Sequence, residues 1–143
     1  MKWSEISSSQ RDVVIEKLKQ KAETTSYPVT YELINDVENE IDLRIGKQLK
    51  KYLINFGYIC LGAIEFYGLN SKQQLKSNMV EETKYLHKYY PLSSKYIAFE
   101  YTGDGDYILV DSKDYVYSFS TEKNELNPMG MRLLDYVLMR IGF

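Results

Sequence analysis

Apolar residues recur at intervals of three and four along the first part of the chain, a pattern that predicts three amphipathic helices. The first follows the serines at 7–9 and should end before Pro28. The second should begin after a Thr30 cap, and the third should end at Gly57. Their apolar stripes are Val14, Ile15, Leu18 and Ala22; Leu33, Ile34, Val37 and Ile41; and Leu49, Tyr52, Leu53 and Phe56.

The spacing then changes to short stretches rich in β-branched and aromatic residues, which are typical of strands. Residues 58–67 predict one strand, closed by Gly68. Residues 95–102, 106–111 and 115–120 predict three more, joined by turns short enough for an antiparallel meander. In the last of these, Tyr115, Tyr117 and Phe119 alternate with Val116 and Ser118, and the pattern leaves open which set is buried.

Two further helices complete the predicted order. Asn78 should cap one that is stopped by Pro91, and Asn127 with Pro128 should begin a closing helix that ends at Gly142. The order of helices, strands, helix, strands and helix predicts an α+β fold, with the C-terminal helix packed on a twisted, mostly antiparallel sheet. The 143 residues are expected to form one domain, 1–143, around one core.

The chain has no run of eighteen apolar residues, and its first ten residues lack a basic cluster followed by an apolar stretch. Neither a membrane span nor secretion is therefore expected. Cys60 is the single cysteine, so an internal disulfide is impossible and a cytoplasmic location is expected.

Acidic residues are concentrated between residues 100 and 125, where seven carboxylates accompany two lysines. A negative field of this kind attracts basic partners and repels nucleic acid. A simpler interpretation is a set of solvated hairpin tips, because acidic residues are common in turns. Fourteen tyrosines, concentrated in the second half of the chain, add side chains that are enriched in protein interfaces.

The stretch "YTGDGDYILVD", residues 101–111, predicts first of all a turn, because Asp-Gly between alternating strands favours a type I′ hairpin. Gly103 before it permits a bulge. An EF-hand loop starting at Asp104 would place Ile108, Leu109 and Tyr115 at positions that require an oxygen ligand, glycine and glutamate, so this interpretation fails. A looser cation site that uses Asp104, Asp106 and Asp111 remains an alternative.

Motifs for catalysis are weak. Gly103 and Gly105 begin a dinucleotide-binding pattern, but Ile108 replaces its third glycine and a strand follows instead of a helix. His87 is the only histidine and has no nucleophile motif with it. The sequence therefore predicts a protein that is not an enzyme and that holds no cofactor and no metal.

The order of segments resembles the SUKH superfamily, named in part for the yeast regulator of cell-wall assembly and glucan synthesis. The resemblance covers roughly residues 30–143, so the predicted helix within 1–29 lies outside it. It depends on "VENEIDLRIGKQLKKYLINFG" (37–57), "IEFYGL" (64–69), "YIAFEYTGDGDYILVD" (96–111) and "VYSF" (116–119). The chain departs from the family pattern at Ile45-Gly46, where members commonly have Leu-Pro, and in having fewer glycines after the third helix.

The resemblance implies a non-enzymatic α+β domain. Its bacterial members are largely immunity proteins that bind and neutralise a cognate toxin, often a nuclease, and its yeast members are regulatory proteins. The resemblance therefore favours an immunity protein whose partner is a cognate protein toxin. A basic nuclease domain is one candidate for that toxin. A regulatory or scaffold protein is the alternative, and the oligomeric state stays open. The residues expected to contribute to the contact are Asp104, Asp106, Tyr107, Asp111, Asp114 and Tyr115.

Overall fold

The structure is a computed structural model that describes residues 1–69 and 78–143. A short 3-10 turn, Trp3–Glu5, precedes three helices. These are α1 (Ser8–Lys21), α2 (Tyr31–Ile41) and α3 (Lys47–Phe56), which confirm the three helices predicted from the periodicity. Ser7 and Gln10 form a capping box on α1, and Thr30 caps α2 through a bond from Leu33 N–H.

The segment after α3 is a hairpin and not the single strand that its composition predicts. Strand β1 (Ile59–Leu61) pairs antiparallel with β2 (Ile64–Phe66). Gly62 lies in the turn between them with φ of 59°, a conformation that glycine adopts readily. The prediction of one strand is wrong because the chain turns at Gly62 and pairs with itself.

The next helix and the meander agree with the sequence. Helix α4 (Met79–Tyr89) is capped by Asn78, whose side chain accepts a hydrogen bond from Glu81 N–H. Strands β3 (Ile97–Gly103), β4 (Asp106–Val110) and β5 (Tyr115–Ser120) then pair in succession, all antiparallel. Of the alternating residues in β5, one from each set is buried, namely Val116 and Phe119.

The prediction that Asn127 and Pro128 begin a helix is wrong, because both lie in a sixth strand. Strand β6 (Glu125–Arg132) pairs with β5, and helix α5 (Leu133–Ile141) begins only after it. Since β6 is at the end of the sheet order β1-β2-β3-β4-β5-β6, a proline is tolerated there. Gly142 ends α5 in a left-handed conformation, as predicted.

Helices cover both faces of the sheet around β4. All four residues at 107–110 are buried although alternate side chains point to opposite faces. On one face, Phe99 of β3 packs against Tyr52 of α3 and Tyr136 of α5. On the other, α4 lies against β3, and Thr83 Oγ1 accepts a hydrogen bond from Ala98 N–H. The result is an α+β fold with the C-terminal helix packed on an antiparallel sheet.

Candidate protein-binding surface

The β3–β4 turn has the geometry that the sequence predicts. Asp104 and Gly105 have φ of 54° and 79°, and a type I′ turn requires positive φ at both central positions. Gly103 has φ of 104° beside a shift of register between Tyr101 and Gly103, which confirms an irregularity at this glycine. The stretch is therefore a tightly specified hairpin tip.

A second hairpin tip, between β5 and β6, is fastened to the first. The carbonyl oxygen of Gly105 accepts hydrogen bonds from Thr121 N–H at 3.0 Å and from Thr121 Oγ1 at 2.8 Å. A Cβ on Gly105 would lie 2.7 Å from that same Oγ1 atom. Both the turn and this close approach therefore require glycine at position 105. The two tips are thus held in a fixed relation to each other.

Together the tips carry the acidic hairpin surface, which we define as Asp104, Asp106, Glu122 and Glu125. All four side chains are exposed, and they line one shallow depression that contains a single cation, Lys123. Within residues 1–69 and 78–143, none of the four carboxylates forms a salt bridge. Glu122 and Glu125 belong to the acidic segment of the sequence. Their position beside Asp104 was not predicted, because the sequence pattern did not indicate the β5–β6 hairpin.

The six residues predicted to contact a partner lie at two separate places. Asp104 and Asp106 belong to the acidic hairpin surface, and Tyr107 lines the same depression. Asp111, Asp114 and Tyr115 surround the β4–β5 turn, at the other end of β4. The five residues of this strand separate the two groups by roughly 15 Å. One small contact patch therefore cannot include all six.

Asp114 serves the fold. Its side chain is buried, and its two carboxylate oxygens accept hydrogen bonds from Gln48 N–H at 2.9 Å and Leu49 N–H at 3.0 Å. These are the free N–H groups of the first turn of α3, whose own N-cap, Gly46, has no side chain to bond them. A carboxylate at this position also interacts favourably with the helix dipole.

Asp111 and Tyr115 have partners within the same turn. Asp111 Oδ1 accepts hydrogen bonds from Lys113 N–H and Tyr115 N–H, and Oδ2 accepts one from the Tyr117 hydroxyl at 3.0 Å. Burial, together with this bond to a carboxylate, raises the pKa of Tyr117. The half-exposed Tyr115 ring lies under the guanidinium of Arg132, 4.7 Å from its centroid. Their contribution to a partner contact stays a prediction.

Tyr107 lines the depression of the acidic hairpin surface and interacts electrostatically with Glu82 of α4. Its side chain is buried. Burial first, and the negative charge of Glu82 second, raise the pKa of Tyr107 to about 12. Burial also raises the pKa of Glu82, although the Tyr107 hydroxyl opposes that change. This electrostatic interaction between a helix and a strand could not be predicted from the sequence.

Among the described residues, no group of three or more histidine, cysteine, aspartate or glutamate side chains is arranged to hold a metal ion. His87 Nε2 lies 2.7 Å from the carbonyl oxygen of Tyr96 and thereby joins α4 to the start of β3. In the same part of the chain, no helix is long and apolar enough to cross a membrane.

The fold and this surface define an α+β domain with an acidic depression at one end of its sheet. The family model SUKH_5, described as SMI1-KNR4 cell-wall, matches residues 12–131. The chain belongs to this family, which confirms the resemblance to the SUKH superfamily. Family members are generally non-enzymatic immunity or regulatory domains, and they commonly bind partner toxins.

A solved structure supports the fold independently. It is described as a crystal structure of a protein from Pseudomonas syringae pv. tomato and matches with a TM-score of 0.64. The match covers 87% of this chain and 91% of the other at 17% sequence identity, so it bears on the fold alone. Among curated proteins, the sequence finds no match.

Proposed function

We propose that this protein is an immunity protein that binds a cognate protein toxin in the cytoplasm and neutralises it without catalysing a reaction. The observation that carries the proposal is the acidic hairpin surface in a member of a family that commonly binds toxins. Toxins that attack nucleic acid tend to be basic, and four exposed carboxylates on two fastened hairpin tips would attract such a partner.

The contact is expected to combine charge with a prepared shape. Because Thr121 fastens the two tips, the carboxylates need little ordering when a partner binds. Tyr107 lines the same depression and adds a small exposed part of a side chain that is otherwise buried. Electrostatic attraction should raise the association rate more than it slows dissociation.

Co-expression tests the proposal. The protein is produced together with the C-terminal toxic domain encoded by the neighbouring gene, and growth is scored against the toxin alone. Rescue of growth and a complex that can be isolated are expected. Growth arrest that is the same with and without the protein would reject the immunity function.

Charge reversal then tests the surface. Asp106→Lys with Glu122→Lys should lower the association rate at low salt by about tenfold or more, and added salt should reduce the difference. The matched control is Asp12→Lys with Asp36→Lys, which changes the net charge equally at exposed positions of α1 and α2. Asp114 is left intact because it caps α3, and Asp104 because lysine disfavours its positive φ. Equal rates for the two double variants would remove the acidic hairpin surface from the interface.

The regulatory alternative is favoured by one observation, the cell-wall description of the matching family. A gene that stands alone, without a secreted toxin beside it, would support this alternative. In that case the acidic hairpin surface would bind a basic segment of a regulatory partner, and co-expression with a toxin domain would not rescue growth.

A further inference from the structure

Six aromatic side chains form a continuous row from β3 across β4 and β5 to the end of α4. We call them the aromatic row, which consists, in order of contact, of Tyr101, Tyr107, Phe119, Tyr90, Tyr85 and Tyr89. The ring centroids of Tyr101 and Tyr107 are 4.9 Å apart, and Tyr107 lies directly opposite Phe119 in the pairing of β4 with β5. Tyr90 links the sheet to the helix, because its ring lies 5.9 Å from Phe119 and 6.4 Å from Tyr85. Tyr89 ends the row at 5.1 Å from Tyr85.

The two ends of the aromatic row are exposed, whereas its middle is buried. Tyr101 is 47% exposed at one end, and Tyr85 and Tyr89 are 46% and 57% exposed at the other. Tyr107 and Phe119 between them are buried. Rings that already pack against neighbours lose little freedom when a partner covers them. The row therefore presents three tyrosine rings to solvent in positions that the fold has fixed.

The Tyr101 end of the row is fastened to the turn that carries the acidic hairpin surface. The Tyr101 hydroxyl accepts a hydrogen bond from Gly105 N–H at 3.0 Å. Gly105 lies between Asp104 and Asp106, and its carbonyl oxygen accepts the hydrogen bond from Thr121 that joins the two hairpin tips. The exposed Tyr101 ring and two of the four carboxylates thus belong to one hairpin, and a partner that covers these carboxylates reaches the ring.

The acidic hairpin surface alone is too small to hold a protein. An interface of standard size includes roughly 20–30 residues on each side, and this surface is defined by four. Exposed carboxylates mainly raise the association rate, whereas a few well-packed side chains, often tyrosines, account for most of the affinity. A partner held at the carboxylates must therefore cover further surface beside them, and the aromatic row provides tyrosines there.

We propose that the aromatic row is the second half of the partner interface and that it fits a basic amphipathic segment of the partner. The basic side chains of this segment meet the acidic hairpin surface, and its apolar side chains cover Tyr101, Tyr85 and Tyr89. Exposed rings also stack on nucleic-acid bases, but the carboxylates beside Tyr101 repel phosphates, which favours a protein partner. The assignment of this partner as a toxin rests on the proposed function.

A peptide titration tests the row without the toxin. The protein, labelled with ¹³C in its tyrosine rings, is titrated with a synthetic helical peptide that has leucines on one face and lysines on the other. Saturable shifts of the Tyr101, Tyr85 and Tyr89 signals are expected in NMR spectra. A peptide with glutamine at the leucine positions keeps the charge but buries less apolar surface, so it should bind about tenfold more weakly. A peptide with glutamate at the lysine positions should not bind, because the carboxylates repel it.

Equal binding of the glutamine peptide, or shifts confined to other tyrosines, would overturn the proposal. Variants then locate the binding on the row. Tyr85→Ala and Tyr89→Ala each remove one exposed ring from α4 and introduce a good helix former. Each should weaken binding of the leucine–lysine peptide by about tenfold. Tyr31→Ala is the matched control, because it removes a ring that is 66% exposed from α2. Affinities equal to that of the control would reject the aromatic row as a binding surface.

Kinetics of the complex with the toxin separate the two halves of the interface. Tyr85→Ala and Tyr89→Ala should raise the dissociation rate about tenfold with little change in the association rate, in contrast to charge reversal at the acidic hairpin surface. Unchanged dissociation would remove the row from the interface with the toxin. Because the peptide measurements do not involve the toxin, their failure rejects the row and leaves the immunity function standing. Failed rescue of growth rejects the immunity function, and the peptide measurements still decide on the row.

Discussion

The carboxylate of Asp114 lies in the space that a side chain on Gly46 would need. A Cβ built on Gly46 would be 2.3 Å from Asp114 Oδ1, well inside van der Waals contact. Gly46 has ordinary backbone angles, φ of −70° and ψ of 167°, so the need for glycine comes from the neighbour and not from the turn. The glycine of the unusual Ile45-Gly46 pair is therefore explained by Asp114, which is distant in sequence and leaves no space for a side chain at position 46.

Removal of this cap should destabilise the fold. In Asp114→Ala, two N–H groups at the start of α3 lose their acceptor, and alanine also disfavours the φ of 71° at this position. We therefore expect the free energy of unfolding to fall by about 3 kcal/mol. Urea denaturation followed by circular dichroism measures the change. Asp36→Ala, at an exposed position of α2, is the control and should alter stability by less than about 0.5 kcal/mol.

The pairing with Gly46 can be separated from the cap by a double-mutant cycle. Gly46→Ala alone should destabilise the protein, because the new methyl group displaces the Asp114 carboxylate. In the Asp114→Ala background the same change should be nearly neutral, since the clashing oxygens are gone. Additive effects of the two substitutions would show that the close contact is not the reason for glycine at this position.

Sequence patterns predicted most of the fold because most of its signals are local. The caps of α1, α2 and α4, each a side chain bonded to the backbone three residues later, could be recognised from short motifs. The start of α5 could not, because its first N–H groups bond to Asp114 O and Gln48 Oε1, which are distant in sequence. Asn127 and Pro128 have the sequence pattern of a local helix cap, but both residues lie in β6, which pairs with β5.

The same distinction applies to the candidate site. The Asp-Gly turn was predictable from two residues, and the acidic segment from composition. What the chain could not reveal is that two turns are fastened by Thr121 and that Asp114 points inward. Both features depend on contacts between residues that are distant in sequence. The sequence alone therefore cannot distinguish an aspartate that is buried and caps a helix from one that is exposed and available to a partner.

Gly105 should tolerate alanine less well than Gly62. Both glycines have positive φ, 79° and 59°, so both substitutions carry the left-handed penalty of about 1–2 kcal/mol. Only at Gly105 would the new Cβ also meet a neighbour, Thr121 Oγ1 at 2.7 Å, whereas Gly62 has nothing within 4 Å. Thermal unfolding should show the larger loss for Gly105→Ala. Equal losses would mean that the Thr121 side chain can move away from the new methyl group without a loss of stability.

Arg140 should matter more for stability than its exposed position suggests. Its guanidinium bonds Glu100, a carboxylate that is 2% exposed and that also accepts a hydrogen bond from the Tyr136 hydroxyl. Arg140→Met would leave this buried charge without a cation, and we expect a loss of about 3 kcal/mol in the free energy of unfolding. The double variant Arg140→Met with Glu100→Gln should recover part of the loss. A double variant less stable than Arg140→Met would contradict this explanation.

Glu82 should make the stability of the protein decline as the pH rises from acid toward neutral. Its folded pKa is raised, chiefly by burial, so between the unfolded value of about 4.3 and the folded value the native state holds a proton that the unfolded chain has released. This contribution to stability is complete below the unfolded pKa and is lost as the pH rises through the folded pKa. Glu82→Gln removes the ionisation and should therefore gain in Tm over the natural protein as the pH rises.

The tyrosines whose pKa values are affected by Glu82 do not titrate in the same pH range. Burial raises the pKa of Tyr107 to about 12 and raises that of Tyr67, and the neighbouring Tyr90 raises that of Tyr85, so these hydroxyls stay protonated throughout the acid window. The control is Glu81→Gln, an exposed neighbour in the same first turn of α4, which loses the same interaction with the helix dipole. Melting curves between about pH 3.5 and pH 8 should show a difference in Tm that grows with pH for Glu82→Gln alone, because only the half-buried carboxylate is penalised for carrying its charge. A difference that stayed constant over this range would show that solvent or a cation already compensates the charge of Glu82 in the folded protein.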